Sequence, residues 1–138
     1  MNKIIFISIF FVLISCATKM KDSELYGKCK MPKYACTQLK LNKNKTFEYF
    51  VFEDVGGENL STGTWKIHNG DTLILNSYTQ PSKEEIEDEK IFGAFANPKY
   101  IVNQLIILRR NKIIFIPKNK NVKIFSLKKI ELNQQKWE

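Results

Sequence analysis

The 138-residue sequence holds a single histidine, His68. Nucleophilic catalysis needs a base held by an orienting partner beside a nucleophile. No second histidine supports such a set, and His68 falls at the tip of a predicted hairpin. Acids are also few, 14 against 22 lysines and arginines, for a net charge of +8. Five of those 14 lie between Glu84 and Glu89. That block lacks the spaced ligands and glycine of a calcium loop, so it reads as solvated surface. Glu53 and Asp54 are adjacent on a predicted strand and so point to opposite faces, which excludes a glycosidase pair. There is no glycine-rich phosphate loop. No catalytic residue, metal or cofactor is therefore expected, and the chain does not read as an enzyme.

Long apolar runs are also missing. The longest, Ile4 to Ile14, is broken only by Ser8. It falls short of the roughly 20 residues of a bilayer span but suits the core of a secretory signal, with Lys3 as its positive flank. It closes on Leu13-Ile14-Ser15-Cys16. This tetrad resembles the lipobox of bacterial lipoproteins: Leu, any residue, a small residue, Cys. The resemblance implies that residues 1–15 form a helical signal peptide that is removed. Cys16 then becomes a lipidated first residue (diacylglyceryl on the thiol, acyl on the amine), and residues 16–24 form a polar tether. In that family an Asp after the Cys retains the protein at the inner membrane. Ala17 stands there instead, which implies outer-membrane delivery, to the periplasmic face or the cell surface. The expected partners are then the membrane itself, through the lipid, and an anionic envelope polymer or protein. A basic, aromatic-rich domain would otherwise suggest nucleic acid; the leader argues against it.

Without the leader the charge is +7, 21 basic residues against 14 acidic. Two cysteines remain, Cys29 and Cys36, with six residues between them. An even pair in an exported chain reads as a disulfide. The rival, a metal or redox pair, has neither a nearby histidine nor the C-x-x-C spacing.

From Leu25 onward the pattern is β. Thr46 to Glu53 (TFEYFVFE) has strand length and composition, with Phe47, Tyr49 and Val51 on one face and Phe50 and Phe52 on the other. Thr62 to Asn76 reads as a hairpin with Asn69-Gly70 at its turn. A three-residue loop with Gly70 left-handed sets Trp65 opposite Leu73 and gathers Trp65, Ile67, Leu73 and Leu75 on one buried face. Residues 79–99 form a long connection. Ser82 and Glu85 have capping-box spacing, which predicts a short helix over 82–92, with Ile91, Phe92 and Phe95 placed to cover the Phe50 and Phe52 face. Three more strands follow, near 100–108, 113–117 and 122–130. Residues 131–138 read as a loosely ordered tail.

About eight short strands over residues 25–130 predict an all-β domain, a small antiparallel up-and-down barrel or sandwich. Gly63-Thr64-Trp65 followed by Asp71-Thr72-Leu73-Ile74-Leu75 resembles the lipocalin-like domains of small envelope lipoproteins. In true lipocalins the Gly-x-Trp lies on the first strand; here that strand carries Gly27-Lys28-Cys29. The resemblance implies a non-catalytic binding or scaffolding module. An inhibitor of a lysozyme-like hydrolase and a carrier of a small hydrophobic ligand are its alternatives. The inward side chains, Phe47, Tyr49, Trp65, Leu73, Leu75, Phe115 and Phe125, are bulky enough to fill a small barrel. Binding is then expected on an outer basic face formed by Arg109, Arg110, Lys112, Lys118, Lys120 and Lys123.

Overall fold

The computed structural model describes residues 20, 22–30, 35–86, 99–118, 120–121 and 123–137. The leader, Cys16, residues 31–34, and Ile91, Phe92 and Phe95 lie outside the described residues. Eight antiparallel strands close into an up-and-down barrel in chain order. They are β1 (Glu24–Lys30), β2 (Ala35–Leu41), β3 (Thr46–Glu53), β4 (Gly57–Asn69), β5 (Thr72–Ser77), β6 (Gln104–Arg109), β7 (Lys112–Phe115) and β8 (Phe125–Ile130). Closure comes from β8 returning to β1, with Leu25 opposite Ile130 and Gly27 opposite Lys128.

This topology gives the barrel two unlike ends. The near end receives the incoming chain at β1 and carries the β2–β3, β4–β5 and β6–β7 turns. The far end carries the β3–β4 turn and the connections from β5 to β6 and from β7 to β8. Alternation along each strand sends one residue in two inward. Tyr26, Leu41, Phe47, Trp65, Leu75, Ile106, Ile113 and Leu127 meet there as one buried core. Trp65 stoppers the near end: its indole N–H donates to the Asn42 carbonyl of the β2–β3 turn (3.0 Å). Met20, just before β1, packs on the same core. Gly63 makes room for the Phe47 ring. A Cβ there would strike the Asn76 carbonyl oxygen and come within 2.7 Å of the Phe47 ring.

The β4–β5 hairpin keeps its expected face but not its expected pairing. Trp65 lies opposite Leu75, and Ile67 opposite Leu73, with a bulge between Ile67 and Asn69. Asn69 pairs with Thr72, so the turn is Gly70-Asp71, with Gly70 at φ +54°. The bulge supplies the extra residue that the three-residue loop was meant to supply. Trp65, Leu73 and Leu75 are buried; Ile67, beyond the reach of β3, is 49% exposed.

Cys29 and Cys36 face each other across β1 and β2 and are disulfide-bonded, with Cα atoms 4.0 Å apart. The long connection after β5 is secured where it leaves and where it returns. Ser77 Oγ donates to the Thr79 carbonyl (2.7 Å) and accepts from the Ile101 N–H (3.0 Å). The capping box forms, with the Ser82 N–H on Glu85 Oε2 (2.8 Å) and the Glu85 N–H on Ser82 Oγ (3.2 Å). Residues 83–86 are helical; the rest of the predicted helix is outside the described residues.

Among the described residues, the outer face of Phe50 is covered by the tail after β8; Ile91, Phe92 and Phe95, expected there, lie outside the described residues. After β8 a 3-10 turn (Leu132–Gln134) leads the tail back across β1, β2 and β3. The Trp137 ring stacks on Phe50 at 5.3 Å, and Leu25, Phe52 and Ile130 complete this second cluster. Gln38, 1% exposed, fastens the tail at two points. Its Nε2 donates to the Gln134 carbonyl (2.9 Å), and its Oε1 accepts from the Lys136 N–H (3.0 Å). The expected loose tail is thus a strap.

Candidate anion-binding site on the barrel wall

The β6–β7 hairpin turns on Arg110-Asn111, with Arg109 directly opposite Lys112. Across the next ladder Lys112 lies directly opposite Lys128. Ile113 and Leu127 point into the core, so their neighbours Lys112 and Lys128 point out. Arg109, Lys112 and Lys128 therefore form a row of three cations across the outer wall, each exposed. Cross-strand neighbours of like charge oppose each other and destabilise a sheet. Asp71, from the β4–β5 turn, is ion-paired with Arg109 at one end of the row. Among the described residues Lys112 and Lys128 have no carboxylate partner. A shallow, open depression of about 680 Å³ lies along the row, lined by Arg109, Arg110, Asn111, Lys112, Ile114 and Lys128. Its ionisable lining is entirely cationic. The Asn111 carbonyl accepts from the Lys129 N–H (2.9 Å), which ties the turn to β8.

The six cations expected to form one basic face are divided by the fold. Arg109, Arg110 and Lys112 sit at the near end, with Lys128. Lys118, Lys120 and Lys123 lie on the β7–β8 connection, at the opposite end of β7. Linear proximity misled because an up-and-down barrel sends consecutive turns to alternate ends. Lys128 was missed for the complementary reason. Its partner is 16 positions away in sequence, and only the β7–β8 register brings the two together.

The far end is aromatic inside. Phe115 lies between Tyr49 (5.9 Å) and Phe125 (5.3 Å), with Phe125 37% exposed at the rim. Burial, and then the Glu53 carboxylate, pushes the Tyr49 hydroxyl up to about 12, so it stays protonated at neutral pH. Ser61, opposite Tyr49 on β4, is 3% exposed, and its hydroxyl has no hydrogen-bond partner among the described residues. His68 is exposed beside the β4–β5 turn. Among the described residues no cluster of three His, Cys, Asp or Glu side chains is placed to hold a metal. No protein-family model, curated protein or solved structure matches the chain.

Proposed function

We propose that this is a lipid-anchored protein of the bacterial outer membrane whose barrel is a non-catalytic, lipocalin-like module that engages an envelope partner. The observation that carries the reading is the lipobox at Leu13–Cys16, set immediately before a closed eight-stranded barrel. The Cys29–Cys36 disulfide suits an oxidising compartment. The paired cations of the barrel wall suit an anionic partner. The sequence's one histidine, His68, is exposed beside the β4–β5 turn.

Mass spectrometry of the protein purified from membranes tests this directly. The chain should begin at Cys16 carrying diacylglycerol and an N-acyl group. A Cys16→Ser variant should lose the lipid and partition with the soluble fraction. A chain that retains residues 1–15, or is cut elsewhere with a free Cys16, would refute the anchor. Inhibition of a lysozyme by the purified protein would instead favour the inhibitor.

A further inference from the structure

The site of chain entry decides how such a barrel must sit. Met20 already packs on the core at the near end, four residues after Cys16. Even fully extended, four residues reach only about 14 Å. An acylated Cys16 would hold the near end within about two Debye lengths of the headgroups at physiological salt. That same end carries Arg110, Lys112 and Lys128, and also Lys43 and Lys45 on the β2–β3 turn, all exposed. Of the near-end acids, Glu24 is bonded to Lys129 (2.6 Å) and Asp71 to Arg109, leaving Asp22 and Glu131 as the exposed counterweights. The strand register sets Lys112 against Lys128, an arrangement that opposes folding in isolation and is relieved when an anionic surface lies against it.

We propose that the near end of the barrel, through Arg110, Lys112 and Lys128, docks on the anionic phospholipid headgroups of the membrane that holds the anchor. The inference rests on the lipid anchor proposed above and adds an orientation to it. The stoppered end with Trp65 and Met20 faces the bilayer, and the aromatic end with Phe115 and Phe125 faces away. Each Lys or Arg near an anionic membrane contributes about fivefold to association. Two of them substituted should therefore weaken docking roughly thirtyfold.

The experiment uses the purified mature protein, with Cys16 acylation first checked by mass, inserted into two kinds of vesicle. One is phosphatidylcholine alone; the other carries about one third phosphatidylglycerol. Hydrogen exchange is followed at the β6–β7 turn, residues 109–112. The expected result is slowed exchange of that turn on the anionic vesicles only. The slowing should vanish near 1 M salt, where the Debye length falls to about 3 Å. It should also be lost in a Lys112→Gln, Lys128→Gln double variant whose circular dichroism is unchanged. Should that variant misfold, Arg110→Gln, at an exposed turn, gives the same test. Equal exchange on both vesicles with Cys16 acylated overturns the docking and leaves the anchor standing. Protection by a soluble anionic polymer but not by anionic vesicles also overturns it. An unmodified Cys16 refutes the anchor and the orientation together.

Discussion

The Trp137 indole N–H donates to Glu48 Oε2 at 2.7 Å, joining the chain's end to β3 across 89 residues. The same ring stacks on Phe50 at an interplanar angle of 19°. Glu48 also accepts from the Asn42 side-chain amide (3.1 Å) and lies 3.6 Å from the Lys40 ammonium. Burial pushes the Glu48 carboxyl up, but the Trp137 and Asn42 hydrogen bonds and the Lys40 charge outweigh it and hold the group below the ordinary glutamate range. The strap is therefore fastened by an ionised carboxylate on one side of the indole and an aromatic stack on the other. Trp137→Ala should cost about 3 kcal/mol, at the low end of the cost of truncating a buried Trp. A urea titration followed by far-UV circular dichroism measures it, and faster exchange of the Lys136 backbone amide, which donates to Gln38 Oε1, would locate the loss at the strap.

The strap should also loosen in acid. A carboxyl whose folded-state pKa lies below its unfolded value adds stability that is present above the unfolded value, about 4.3 for glutamate. That stability is lost as pH falls through the lower, folded value. Trp137 fluorescence should shift as the carboxylate protonates in that window, with no comparable change between pH 6 and 8. Glu48→Gln should remove the transition. A wild-type shift centred at neutral pH would assign it to another group.

Gly63 fixes the core from the opposite wall. It lies opposite Phe47 on β3 and Ser77 on β5, and an added Cβ would meet backbone on one side and the Phe47 ring on the other. Backbone cannot move aside as a flexible side chain can. Gly63→Ala should therefore cost about 1–3 kcal/mol, the usual price of overpacking. A thermal melt that leaves the midpoint unchanged would show that the β4 wall yields more easily than its contacts imply.

Ser61 gives the opposite sign. Its hydroxyl is buried without a partner among the described residues, and a lost desolvation penalty for such a group is worth about 1–3 kcal/mol. Ser61→Ala should raise the unfolding midpoint. A fall with Ala would mean that water or a ligand satisfies the hydroxyl in solution.

Strand identity was legible because β3 and the β4–β5 hairpin carry their patterns locally. Phe47, Tyr49 and Val51 alternate with Phe50 and Phe52, and both faces are in fact covered. The cover of the outer face was not legible, because Trp137 reaches Phe50 only after the whole barrel has closed. Gly70 signalled the turn, yet the turn lies one residue later than expected. A bulge preserves the apolar face while shifting the pairing, and periodicity cannot distinguish it from a longer loop. The disulfide was readable from spacing, since seven positions bring two cysteines face to face across a hairpin. The basic site was only half readable: composition named Arg109, Arg110 and Lys112, while register supplied Lys128 and sent Lys118, Lys120 and Lys123 to the other end.

Lys112 and Lys128 permit a test that needs no ligand. Directly opposed like charges destabilise a sheet, and an opposite-charge pair at the same position contributes roughly 0.2–1 kcal/mol. Lys128→Glu places a carboxylate across from Lys112, so repulsion becomes attraction. The substitution leaves the core alone, because Lys128 is exposed and its inward neighbour Leu127 is untouched. The variant should be more stable than the parent by about 0.5–1 kcal/mol in dilute buffer. Most of that gain should disappear in 1 M salt, where exposed charges are screened. Lys128→Gln, which removes repulsion without adding attraction, should fall between the two. A Lys128→Glu variant that gains nothing at low salt would show that the two ammonium groups swing apart into solvent. The row would then be an ordinary solvated surface rather than a charge arrangement kept at the expense of stability.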